Sequence, residues 1–234
     1  MRVVVFGANG PTGRLLTAAL LDAGSDVVAV TRHPGALASA RARFAVIGAE
    51  ATDPAAVCRA IDGADAVVSV LGARYSRGPI TVYSESASAI TGAMHTAGIR
   101  RLVVTSSSAV SGWIDPHWSW LERNLARRIL DRIGRTLYAD MRRMEAVVQA
   151  SDLDWTIMRP LGLANLDAPT TYALAEDHIP GRQTARRDLA AAIADQLLRD
   201  DYVCKTVAVA TTNKRLSIAQ TIWREGIKRN RRPR

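Results

Sequence analysis

Cysteine is scarce: Cys58 and Cys204 are the only two in 234 residues, and neither sits at a metal-ligand spacing, so a disulfide framework and a zinc site are both excluded. Redox chemistry in this chain therefore has to come from a bound cofactor. No run approaches the roughly 18 to 20 apolar residues that cross a bilayer. The opening Met1-Arg2-Val3-Val4-Val5-Phe6 reaches Gly7 too soon for the apolar region of a signal peptide, so a cytoplasmic protein is expected. Extremes of composition are also missing. At 48% hydrophobic and 23% charged, the chain is neither disordered nor collagen-like and can bury a sizeable core.

Lysine is nearly absent as well. Only Lys205, Lys214 and Lys228 are lysines among 31 basic residues, which fits a bias in base composition better than many separate demands for guanidinium. Six basic residues against the single acid Glu225 lie in 223–234, so this tail holds more than half of the formal net charge of +9. A tail of that kind can touch phosphate, anionic lipid or an acidic neighbour. The mildly basic remainder points to a small-molecule substrate and to no specific nucleic acid; a monomer and a homodimer both stay open.

Short β-branched runs alternate with longer Ala/Leu-rich segments, the pattern of βα units around a parallel sheet buried on both faces. Strands are predicted at 2–6, 26–31, 42–48, 64–71, 101–105, 154–158 and 206–209, and helices at 12–23, 54–61, 80–97, 135–150 and 185–199. Gly24 and Gly98 follow two of the helices where a left-handed cap is wanted, and Asp53-Pro54 offers an N-cap followed by a first-turn proline. No repeat or low-complexity linker interrupts the chain. One α/β, doubly wound, mostly parallel domain spanning 1–234 is expected, with 160–184 as irregular structure in a small substrate-side lobe and 223–234 as the tail.

The first predicted strand runs into Gly7-Ala8-Asn9-Gly10-Pro11-Thr12-Gly13, and a helix follows at once. In that context a G-x-x-G-x-x-G spacing reads as a dinucleotide phosphate loop. Gly7 permits the turn, Gly10 lets backbone approach a pyrophosphate, and Gly13 lets helix and sheet pack closely. The helix N-terminus then offers unpaired N–H groups to an anion. At the end of the second strand, where NAD-selective domains place an acid, stand Thr31-Arg32-His33. Arg32 can pair with a 2′-phosphate, which favours NADP(H) over NAD(H); a solvated loop arginine is the alternative. Asp53 is placed to flank the adenine or merely to cap its helix.

On these residues the chain resembles the atypical short-chain dehydrogenase/reductase group with the NmrA-like, NAD(P)H-binding Rossmann domain, which includes biliverdin IXβ/flavin reductases. The likeness extends to Asp65-Ala66-Val67-Val68-Ser69-Val70-Leu71-Gly72, Val103-Val104-Thr105-Ser106-Ser107-Ser108, Met141-Arg142-Arg143-Met144-Glu145, Leu153-Asp154-Trp155-Thr156-Ile157-Met158-Arg159-Pro160 and Arg187-Asp188-Leu189-Ala190. The resemblance implies that Gly7, Asn9, Gly10, Pro11, Thr12 and Gly13 surround the pyrophosphate and that Arg32 meets the 2′-phosphate, with Thr31 beside it in the cofactor site. It further implies that Leu71, Gly72 and Ala73 line the cofactor and that Pro160 and Leu161 lie beside the nicotinamide. No substrate follows, because such folds host many functions.

Ser106, Ser107 and Ser108 leave the fifth strand directly, near the expected nicotinamide. Ser107 matches the active serine of extended relatives, where such a hydroxyl steadies negative charge on a substrate oxygen. A serine-rich turn that satisfies its own backbone is the alternative. Tyr138 and Arg142 have the Tyr-x-x-x-basic spacing of the usual catalytic pair, one helical turn apart, with arginine where lysine is customary. Trp113, Trp118 and Trp120 cluster after the serines, as a wall for a planar acceptor or as packing against a helix or a second subunit. His33, His95, His117 and His178 are scattered, with only His117 near the expected mouth. Two functional classes follow: an NADP(H)-dependent oxidoreductase acting on a carbonyl, quinone, flavin or tetrapyrrole-like acceptor, and a non-catalytic NADP(H) sensor.

Overall fold

Val3 and Val5 turn to one face of the central sheet and Val4 and Phe6 to the other, and all four are fully buried. That period of two, with apolar residues at every position, is how a strand covered on both faces reads. The computed structural model describes residues 1–37, 41–76, 78–132, 134–166 and 170–212; the basic tail at 223–234 and Pro169 lie outside the described residues. In chain order the elements are β1 (Arg2–Phe6), α1 (Pro11–Asp22), β2 (Asp26–Thr31), β3 (Phe44–Gly48), α2 (Pro54–Ile61), β4 (Ala66–Ser69), α3 (Val82–Ala97) and β5 (Arg101–Thr105). There follow α4 (Trp120–Arg132), α5 (Arg135–Gln149), β6 (Asp154–Pro160), β7 (Gly162–Ala164), β8 (Tyr172–Glu176), β9 (Gln183–Ala185), α6 (Arg186–Gln196) and β10 (Lys205–Thr211).

The main sheet has the order β3-β2-β1-β4-β5-β6-β10-β8, parallel except where β8 runs antiparallel to β10. Leu16 and Leu20 of α1 and Leu189 and Ile193 of α6 fill one face; Val57 and Ile61 of α2, Ile90 and Met94 of α3 and Met144 and Val148 of α5 fill the other. This is a doubly wound Rossmann fold. The strand order reverses between β1 and β4, the switch point at which such sheets open a crevice beyond their carboxyl ends.

Two segments depart from the expectation. Residues 160–184 are not wholly irregular: β7 and β9 pair in parallel as a small second sheet, and β8 joins the main sheet as its edge. The chain from Trp120, where no helix is predicted, forms a separate helix, α4. Its start is a capping box: the Ser119 hydroxyl accepts from the Glu122 N–H at 3.4 Å while Glu122 Oε2 accepts from the Ser119 N–H at 2.9 Å.

Candidate functional site

Two glycines of the loop after β1 are required by space. Gly7 has φ +81°, and a Cβ there would lie 2.7 Å from the Val70 carbonyl oxygen, because the loops after β1 and β4 touch at the switch point. A Cβ on Gly13 would lie 2.3 Å from the Gly7 carbonyl oxygen and 2.7 Å from Ala8 Cα. Gly10 differs. Its φ of −69° suits any residue, and a Cβ would meet only the Gly7 carbonyl oxygen, at 3.2 Å, so the space it keeps open is the cleft. No side chain caps α1 and Pro11 occupies its first turn, which leaves the remaining first-turn N–H groups for an anion. Arg14 donates to the Asn9 side-chain oxygen, to the Asn9 carbonyl at 3.1 Å and to the Ala36 carbonyl at 2.9 Å, tying the loop to the turn beyond β2.

This loop forms one end of a cleft of about 820 Å³. Gly7, Asn9, Gly10, Pro11, Thr12, Thr31, Arg32, Leu71, Gly72, Ala73, Ser106, Ser107, Tyr138, Pro160 and Leu161 all line it. Arg32 is exposed at the rim and pairs with no group among the described residues. Three expected site residues stand outside the lining. Gly13 lies behind it, packed on the loop. Asp53 caps α2, accepting from the Ala55 and Ala56 N–H groups at 2.9 and 3.3 Å, and it is Ala49, Glu50 and Ala51 that face the cleft there. Arg142 is exposed and donates to the Val110 carbonyl at 3.4 Å, so the Tyr-x-x-x-Arg spacing does not bring its cation into the cleft beside Tyr138.

Three hydroxyl groups at the end of β5 stand together. Thr105 Oγ1 and Ser106 Oγ are buried without a hydrogen-bond partner among the described residues, and burial of that kind is costly unless something completes it. The Ser107 hydroxyl accepts from the Ala109 N–H at 3.3 Å, at the start of the 3-10 turn Ser108–Ser111. Its proton remains available to the cleft. Opposite, the Tyr138 and Tyr75 phenols lie 3.2 Å apart. Tyr83 lines the cleft too: its phenol accepts from the Ala73 N–H at 2.9 Å, and burial pushes its pKa up, keeping it protonated. Nothing in the spacing around residue 83 marked that role.

The far wall is held by a latch between the chain before α4 and the loop before β9. Asp115, buried, accepts from the His117 N–H, from His117 Nδ1 and from the Gly181 N–H, each at 2.9 Å. Burial alone would raise its pKa, but these contacts together bring it below the usual carboxylate value. Trp118 Nε1 donates to the Gly181 carbonyl at 3.2 Å, and the Arg182 guanidinium lies 5.6 Å from the centre of the Trp118 ring. Arg182 also donates to both carboxylate oxygens of Glu122; that pairing, followed by the Ser119 donors, lowers the Glu122 pKa to about 2. Trp113 stacks on His178 with ring centres 5.2 Å apart. The sequence marked the tryptophans but not Asp115, Glu122 or Arg182; Ser119-Trp120-Leu121-Glu122 was the readable signal for one of them. His117 is largely exposed and is absent from the lining.

Comparison with known proteins agrees with the fold. Over 185 residues the chain is 30% identical to a UPF0659 protein of Schizosaccharomyces pombe, covering 74% of this chain and 75% of that one. In fold it is similar to a wide-type short-chain dehydrogenase/reductase from Veillonella parvula solved in complex with NADP, at a TM-score of 0.73 and 22% identity over 91% of this chain and 95% of the other. It is likewise similar to ChuY, an anaerobillin reductase of Escherichia coli O157:H7, at a TM-score of 0.73 and 21% identity over 93% and 100% of the two chains. A family model described as NAD(P)H-binding matches residues 7–200, and the chain, with its Rossmann fold, belongs to that NAD(P)H-binding family.

Proposed function

We propose that this protein is an NADPH-dependent reductase that delivers hydride to a planar or extended carbonyl, quinone, flavin or tetrapyrrole-like acceptor. The observation that carries this reading is one continuous cleft, running from the glycine loop across the ends of β1, β4, β5 and β6 to the Trp113 and Trp118 wall. Its residues fit a dinucleotide. Gly10 keeps backbone open to a pyrophosphate, and the Ser106 hydroxyl, without a partner among the described residues, lies farther along the same cleft. Arg32, exposed and without a partner among the described residues, supplies a cation for a 2′-phosphate. The neighbours solved with NADP and named as a bilin reductase support the cofactor and the acceptor class.

Bound there, NADPH would supply the hydride. Ser107 would donate a hydrogen bond to the acceptor oxygen as negative charge grows on it. The latch around Asp115, Trp118 and Arg182 would close the acceptor end against water, and Pro160 and Leu161 would hold the reacting face. Proton delivery falls to Tyr138 or to solvent. The displacement of Arg142 from the cleft favours solvent, and also keeps in view a sensor that binds NADP(H) without turnover.

Fluorescence titration with NADPH and NADH, followed by a panel of acceptors, tests the proposal. NADPH is expected to bind at least about tenfold more tightly, and Arg32→Ala to lose most of that preference, ~1.5–3 kcal/mol for a contact to a charged group. Equal affinities would remove the NADP assignment. Tight binding with no oxidation by any acceptor would leave the sensor.

A further inference from the structure

A surface helix ordinarily turns its apolar stripe inward and its charges to water. In α4 the outward face is partly apolar. Trp120 is 78% exposed, Leu121 69% and Leu125 46%, and at 100° per residue these fall on one side of the helix together with the exposed Arg127 and Arg128. The opposite side carries Glu122 and Ala126, which line the cleft. The helix is not stray chain: the Ser119/Glu122 capping box starts it and the Arg182 pair fixes its first turn.

We infer that α4 docks on an anionic lipid surface, with Trp120 and Leu121 entering the headgroup region and Arg127 and Arg128 meeting lipid phosphates. This goes beyond the proposed reductase and does not depend on it. Charge decides the occupant. By sequence α4 has four arginines against two acids, and one of those acids, Glu122, is committed to Arg182. A second copy seated on the same face would bring Arg127 and Arg128 from both copies, four like charges, into one interface. An anionic bilayer satisfies both features at once, since it attracts arginine and accepts Trp and Leu at the interface. Leu125 belongs both to this face and to the cleft lining, so docking would bring the acceptor end of the cleft against the membrane surface.

The test is flotation of the full chain with vesicles of phosphatidylcholine mixed with phosphatidylserine, against vesicles of phosphatidylcholine alone. Binding to the anionic vesicles that weakens with salt is expected. The double variant Trp120→Ser, Leu121→Ser should lower partitioning about tenfold or more with unchanged circular dichroism. Arg127→Glu with Arg128→Glu should do the same while sparing the apolar residues, which keeps the test decisive if the first variant folds poorly. Three results would overturn the inference: no binding of the parent to anionic vesicles, equal binding of parent and both variants, which would assign the attraction to the basic tail, or a dimer in sedimentation that Trp120→Ser, Leu121→Ser converts to monomer.

Discussion

The Ser107 hydroxyl accepts one backbone N–H and keeps its proton for the cleft. Ser107→Ala is therefore expected to lower turnover with a working acceptor roughly 10- to 1,000-fold, with little change in NADPH affinity, and to cost about 1 kcal/mol as a lost cap. Ser108→Ala should do much less. Tyr138 has the Tyr75 phenol at 3.2 Å, and the Arg142 guanidinium lies outside the cleft lining. Tyr138→Phe should accordingly cost only a few-fold in steady-state rate. A loss above about 100-fold with an altered pH profile would make Tyr138 the acid after all.

At the scale of elements, the glycine loop separates folding from binding. Gly13→Ala forces a Cβ into the Gly7 carbonyl and should lower the melting temperature clearly, whereas Gly10→Val should leave circular dichroism near that of the parent and abolish NADPH binding by calorimetry. Retained binding in Gly10→Val would mean that the loop is only a turn. The latch before α4 responds to acid. Because Arg182 holds the Glu122 pKa at about 2 in the folded chain against 4.5 ordinarily, its stabilisation is complete above about pH 4.5 and is lost as pH falls toward 2. Asp115 shifts in the same direction. The protection of α4 amides, relative to their intrinsic exchange rates at each pH, should therefore fall from pH 5 to 2 ahead of that of the central sheet, and Glu122→Gln should remove much of that step. Protection that stays flat over this range would detach the latch from Glu122.

Across the whole molecule, α5 is fastened to β6 by an ion pair in which the partly buried Arg159 donates to the two oxygens of the buried Glu145 at 2.9 and 2.6 Å. Glu145→Ala leaves a largely buried guanidinium unpaired and should cost about 3 kcal/mol by chemical denaturation; Met at both positions should recover much of it. The segments 141–145 and 153–160 could be noticed separately in the sequence, but not that their charges meet. The sequence by itself determined the doubly wound sheet: β1, β2 and β5 have their predicted limits because strands buried on both faces write themselves as unbroken β-branched runs, and the glycine loop is legible because its spacing and its flanking elements are local. It is packing that takes Arg142 out of the cleft, organises residues 160–184 through β7, β8 and β9, and closes the far wall with Asp115 and Arg182. Those outcomes depend on pairing between positions tens of residues apart, where a three-residue strand or a lone charge carries no periodic signal and the partner is chosen by packing.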